Sequence, residues 1–336
     1  MRKELGTFIL LVVLCVIVAA INPRFVGGAN LQNMARLIGM YGIFSIGIGV
    51  VIITGGIDLS VGSMFALLGV LLSMMLASWH WPPVLAIVAV MCVAVGLGLL
   101  HGLLVTRLRV QPFIVTLCGL LFYRGLARFV AADETKGFGT GRGFEWLTQL
   151  ATGSPFGIPA PFILLVAIAA AMWVVLHRSI YGRYLFAVGR NEDAARYSGI
   201  NARKIVASAY VVSGLTAGIS GILLAFYTNS ISPSSHGNFY ELYGIAAAVL
   251  GGCSLRGGEG SVIGIVIGTA LLQVLQNLVN LLNIPSSLNF AVMGAVILIG
   301  VIADQLLKRR QPLVAARESA GGAATPPRMA AGSAGD

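Results

Sequence analysis

The side chains able to carry charge, bind a solute or move a proton are few in this chain, and they are clustered. Residues 189–204, GRNEDAARYSGINARK, hold an unusual density of charge for so apolar a chain. Within it Asn191 can cap a short helix over 191–198. Glu192 and Asp193 sit in the first turn, where a helix N-terminus favours negative charge, and Gly199 can end the helix. Ala194 and Ala195 would let another surface approach closely, while Glu192 and Arg196 can pair at i,i+4 on the opposite face. The chemistry this offers is contact and not bond-making. It suits a foot for a partner, a solvated connector, or a short amphipathic helix lying on lipid headgroups.

TGGIDLSVGS at 54–63 places Asp58 just after a glycine pair. Gly55 and Gly56 break a helix, and Asp58 can cap the one that begins near Ser60. Two readings stand: a gate or hinge at the inner end of a path, or a tight turn whose carboxylate satisfies backbone N–H groups. A second interruption, LGGCSLRGGEG at 250–260, carries Gly251 and Gly252. Each follows a short apolar run that opens alike, YGIF at Tyr41 and YGIA at Tyr243, and paired interruptions of this kind point to a transport path. Gln273, Gln276, Asn277 and Asn280 share one helix face. Such amides serve either a contact between helices or permeases, or a hydrated lumen for a polyhydroxyl solute. Arg124, half a span inside LLFYRGLARF, needs a carbonyl, an acid or water, in a structural or a pathway role.

Catalytic and metal chemistry find little support. His101 and His177 fall at the ends of apolar segments, and His80 and His236 in the connections between them. None has a metal-like neighbour or a triad partner. Cys15, Cys92, Cys118 and Cys253 stand alone in apolar stretches and read as small hydrophobes. No metal site and no resident cofactor are expected.

These residues must be positioned by membrane helices. Hydrophobic residues make up 57% of the chain and charged ones 10%, and the mean hydropathy is +0.90. A soluble domain is about a quarter charged. The apolar runs are each about 20 residues long, the length a helix needs to cross hydrocarbon, and alternating barrel strands are absent. The fold class is therefore all-α, a polytopic bundle of about ten spans. They lie near 5–21, 37–54, 59–79, 84–106, 113–131, 161–177, 205–228, 240–255, 261–283 and 287–306. The N-terminal run mimics a signal peptide but is long and lacks a clear cleavage site, so it reads as a retained first span. A transmembrane domain over 1–310 is followed by an Ala/Gly/Pro-rich tail, 311–336, of disordered composition.

The net charge of +10 would raise nucleic acid as a partner for a soluble protein. Here the basic residues sit between apolar segments, so they orient the chain against lipid, and nucleic acid is not expected. Alternating the spans places Arg2, Lys3, Arg107, Arg109, the basic residues of 178–204, Arg256 and those of 308–310 on one side. Only Arg24, Arg36, Lys136 and Arg142 fall opposite. By the positive-inside rule both termini are cytoplasmic, as is the 191–199 foot. The loops 132–160 and NSISPSSHGNFYEL, near 229–242, face outward.

Such a bundle suggests transport, and the chain holds no motor. No GxxxxGK[ST] loop is present to cradle a phosphate. Acids deep in the membrane, which would serve ion coupling, are scarce: Asp58 alone lies within a membrane element, near its cytoplasmic end. Energy from a cytoplasmic partner is the reading that remains. An ion-coupled carrier of a small polar solute is the alternative, and a membrane enzyme is a more distant one.

AVGRNEDAARYSGINARKI resembles the cytoplasmic coupling loop of ribose-type sugar permeases, the membrane subunits of bacterial ABC importers. TGGIDLSVGS resembles that family's most recognisable segment, and GIAAAVLGGCSLRGGEGSVIGIVIGTALLQVLQNLV looks like its eighth and ninth spans. The resemblance covers residues 1–310 in order. It implies a permease that pairs with itself or a sibling in the bacterial inner membrane. It also implies an ATPase dimer, using ATP and magnesium, that docks on 191–199, and an extracytoplasmic protein that delivers a monosaccharide. The ADETKGFG stretch is less general in the family, and the resemblance does not name the sugar.

Overall fold

The structure is a computed structural model. It describes residues 2–139 and 143–285, with 288, 291, 294, 295 and 298 further on. The expected span at 287–306, save those positions, and the tail 311–336 lie outside the described residues. The chain divides into two units, Met1–Asn289 and Phe290–Asp336.

Among the described residues the fold is helical throughout, with one isolated bridge between Lys136 and Ile231. The helices are α1 (Arg2–Ile21), α2 (Gly28–Ile53), α3 (Val61–Ser73, continued by a π turn, Met74–Ser78), α4 (Pro83–Arg107), α5 (Pro112–Ala131), α6 (Glu145–Thr152) and α7 (Ala160–His177). They continue as α8 (Ile180–Arg190), α9 (Glu192–Tyr197), α10 (Ala202–Thr228), α11 (Tyr240–Leu250) and α12 (Val262–Leu281), all within the first unit. Eight of these are long and apolar enough to cross a membrane: α1, α2, α3 with its π turn, α4, α5, α7, α10 and α12. The segment expected as a span at 240–255 is corrected: α11 has 11 residues, about 16 Å of helix, too short to cross alone. Helices α6 and α8 occupy stretches expected to be loop.

Helices α2, α3 and α10 are buried over most of their length and form the centre, while α1, α4, α5 and α7 turn most of their surface outward. Apolar side chains gain nothing by leaving lipid, so close backbone approach and polar ties hold such a bundle together. Helices α4 and α10 show this. A Cβ on Gly102 would lie 2.7 Å from the Cα of Ala207, and one on Gly98 would strike the carbonyl of Tyr210. A Cβ on Gly214 would strike that of Ala94. Helices α11 and α12 cross as closely, with Gly251 against the carbonyl of Gly264 and Gly268 against that of Ala247.

Candidate coupling and gating site

The polar foot forms as its composition dictates. Asn191 ends α8 and caps α9, its side chain accepting from the Ala194 N–H at 2.9 Å. Arg196 bonds Glu192 at 2.8 Å and approaches Asp193 at 3.8 Å, and Gly199 follows with φ +83°. Such exposed pairs contribute only a few tenths of a kcal/mol, about 0.3–0.5 for an i,i+4 pair, so the cap matters more than the charges. The alanines divide. Ala194 is exposed, whereas Ala195 is 5% exposed and packed into its own chain, so it is not open to a partner. Tyr197, which no local sequence signal singles out, stands 91% exposed on the same short helix.

Helix α8 carries the foot to the break after α2. Gly55 turns the chain with φ +82°, and the carbonyl of Ile53, left free at the helix end, accepts from the Gly258 N–H at 2.8 Å. Gly189, at the end of α8, lies directly on this pair. A Cβ there would strike the Ile53 carbonyl and stand 2.7 Å from the Gly258 nitrogen. A Cβ on Gly257 would stand 2.5 Å from the Gly189 carbonyl and 2.9 Å from the Gly55 nitrogen, and one on Gly258 would stand 2.9 Å from the Cα of Arg190. Both interruptions and the root of the foot thus meet backbone to backbone. The meeting point uses Gly55 with Gly189, Gly257 and Gly258. Gly56 instead faces the Tyr210 hydroxyl, Gly251 belongs to the α11–α12 crossing, and a Cβ on Gly252 would enter open space.

Asp58, 1% exposed, is fully occupied. Its Oδ1 accepts from the Ser60 N–H at 3.0 Å and the Ser60 hydroxyl at 2.7 Å, and its Oδ2 accepts from the Ser213 hydroxyl at 2.8 Å. It therefore holds the turn itself and ties it to α10, and does not bond the first N–H groups of α3 as a cap would. Hydroxyls of Thr116 and Tyr210 reach the preceding carbonyl of Ile57 at 3.2 and 3.4 Å. A chain break inside a bundle is tolerated when its polar groups are satisfied this way.

The segment after α10, expected as an outward-facing loop, descends along α3. Ile231 lies against Gly69, and Gly237 against Gly62 and Phe65. The difference of seven helical residues is a descent of about 10 Å. Arg124 pins this segment. Its Nη1 donates to the carbonyls of His236 at 2.8 Å and Pro233 at 3.2 Å, and its Nη2 donates to that of Gly62 at 3.4 Å. Glu241, 5% exposed, sets its carboxylate against Gly62. Helix α11 starts within the bundle, which accounts for its length.

The amides of α12 are not one continuous lining. Asn277 and Asn30 of α2 exchange hydrogen bonds of 2.7 and 3.1 Å, Gln273 is buried, and Asn280 is exposed. The Oε1 of Gln276 is buried and has no hydrogen-bond partner among the described residues. Among the described residues, none of these side chains bonds Arg124, and no three His, Cys, Asp or Glu side chains come together as metal ligands.

Membrane-length helices, buried chain breaks and a capped polar foot define a multi-pass membrane protein of the transport class. Residues 30–301 match the family described as the branched-chain amino acid transport system / permease component, and the chain belongs to it. It is 38% identical over 304 residues to the ribose import permease protein RbsC of Bacillus subtilis (strain 168), covering 90% of this chain and 93% of that one. With the RbsC of Escherichia coli (strain K12) it shares 36% over 301 residues, covering 90% and 93%. It is 30% identical over 312 residues to the D-allose transport system permease protein AlsC of the same strain, covering 90% and 92%. No solved structure matches the chain. It is a transport permease and not an enzyme.

Proposed function

We propose that this chain is the membrane subunit of an ABC importer and moves a monosaccharide inward by alternating access. The similarity to ribose and D-allose permeases over nine-tenths of the chain carries this reading. Hydrolysis of ATP, with magnesium, takes place on a separate ATPase dimer at the cytoplasmic face. An extracytoplasmic binding protein delivers the sugar, and a second permease copy or a paralogue completes the pore. The membrane is the bacterial inner membrane. The chain crosses it about ten times, with the descending 231–239 segment and α11 together making one crossing and the apolar 287–306 stretch another, and both termini are cytoplasmic.

The residues divide the work. Asn191, Glu192, Asp193 and Ala194 form the docking foot. Gly55 and the 250–260 turn form the inner hinge, with Asp58 holding its geometry. Arg124 fixes the outer segment that closes the path from above, and Gln273 and Gln276 offer amides to hydroxyls as the sugar passes. A neutral polyhydroxyl solute is suited by amides, which both donate and accept. Specificity residing on a delivery protein requires few strong contacts in the path.

The test is co-purification and uptake. The permease should carry its ATPase through purification, and Glu192→Lys with Asp193→Lys should release it. Uptake of labelled monosaccharide should require ATP and survive an uncoupler. Uptake that an uncoupler abolishes and that persists without any ATPase would establish the ion-coupled carrier instead.

A further inference from the structure

From the contacts of Gly189 we infer that it is the positioning residue through which movement of the foot reaches both chain breaks at once. The inference rests on the reading of α9 as an ATPase-driven foot.

Asn191 is the single residue between α8 and α9, closing one helix and capping the other, so the two helices move as a unit. Gly189 stands two residues before it. On one side it touches the last carbonyl of α2, and on the other the Gly258 nitrogen that bonds this carbonyl. The three atoms nearest a Cβ on Gly189 are all backbone, and the Cβ of Arg190 is the side-chain atom that enters the joint, against Gly258. Packed backbones with no compressible atoms between them pass on a displacement of an ångström instead of absorbing it. Ile53 leads to the Asp58 turn and α3. Gly257 and Gly258 lead back through the 251–256 turn to α11 and forward to α12. Displacing the end of α8 must therefore shift both interruptions or part the Gly258–Ile53 hydrogen bond. This accounts for the glycine at 189, whereas Gly257 and Gly258, at φ +83° and +74°, are favoured by their turn as well as by the close approach.

The experiment uses the full assembly of permease, ATPase and binding protein in proteoliposomes. Sugar uptake, ATP hydrolysis and retained ATPase are measured together. Gly189→Ala adds one methyl group at the junction and should leave ATPase retention and hydrolysis within about twofold while uptake falls about tenfold. More ATP is then spent per sugar moved. Gly102→Ala is also crowded, though less tightly, but sits in the α4–α10 contact, and should lower all three in proportion to the protein present. Arg190→Gly removes the Cβ that faces Gly258 and loosens the joint without adding atoms. It should raise the ATP spent per sugar as Gly189→Ala does, and it decides the matter if Gly189→Ala does not accumulate. An unchanged ratio of hydrolysis to uptake in the junction variants, with the wild-type assembly transporting normally, overturns the inference. A wild-type assembly that retains no ATPase, or imports without ATP, overturns the underlying reading instead.

Discussion

Asn277 of α12 and Asn30 of α2 face each other as a closed amide pair, at 2.7 and 3.1 Å, across 247 residues of sequence. Each amide satisfies the other, and Asn30 spends its remaining donor capacity on the Phe25 carbonyl at 2.9 Å. An amide so engaged is a tie between helices before it is a lining for sugar.

The pair should behave as a stability element. Asn277→Ala should cost about 1 kcal/mol, the usual size of such a bond between membrane helices, because it strands the Asn30 amide. Thermal melting in detergent should show Asn30→Ala with Asn277→Ala costing less than the sum of the single changes. Uptake per molecule in the membrane should hold. A fall in uptake at constant abundance would place Asn277 in the path.

Gln273, a turn before Asn277, and Gln276, the residue just before it, take the opposite prediction. Gln276 has a buried oxygen without a partner among the described residues, so replacing it by Leu should leave the melting temperature level or higher. Uptake should nonetheless fall several-fold, since the path loses an amide. Transport and melting measured on the same preparation separate the two effects.

Arg124 should tolerate no replacement well. Its planar fork serves carbonyls on two separate segments, the descending 232–239 stretch and the start of α3. A lysine is a point charge on a flexible stem and cannot reproduce that span. Arg124→Lys should therefore transport at a fraction of the wild-type rate. Arg124→Met, which leaves buried carbonyls unmatched, should lose both abundance and uptake. Proteolysis at 232–239 from the outer face should rise in the same order.

Asp58 gives a graded series. Asp58→Ala removes an acceptor from the Ser60 N–H and from two buried hydroxyls, with a cost of about 2–5 kcal/mol. Ser213→Ala removes one donor and should cost less, about 1–3 kcal/mol. Melting of the purified chain should follow that order. An inverted order would mean that a buried carboxylate left short of a donor costs more than losing the carboxylate altogether.

The helices were legible because hydropathy over about 20 residues is a one-dimensional signal. The foot was legible too, since Asn191, the acids after it and Gly199 are local grammar. What escaped was set by distant partners. SSHGN reads as an outer loop by polarity, and only Arg124 and Gly62 reveal that it descends. The glycine pair at 251–252 is indistinguishable by composition from that at 257–258. The backbones of Ile53 and Gly189 decide which pair makes the joint. Helix α8 was hidden for another reason: its apolar face is one-sided, so no long hydrophobic run marks it.

Tyr197 supplies the sharpest separation of stability from contact. At 91% exposure it packs against little among the described residues, so Tyr197→Ala should leave melting within about 0.5 kcal/mol of wild type. Aromatic side chains are nonetheless favoured anchors of protein interfaces, and this one stands on the foot assigned to the ATPase, next to Arg196. The substitution should weaken ATPase retention at least tenfold, about 1.4 kcal/mol, and lower uptake with it. A ring that instead lies on the membrane surface would give way to Trp and Phe alike without loss of ATPase. Retention measured for Tyr197→Ala, Tyr197→Phe and Tyr197→Trp therefore distinguishes a fitted pocket from a lipid contact, because only a pocket rejects the larger ring.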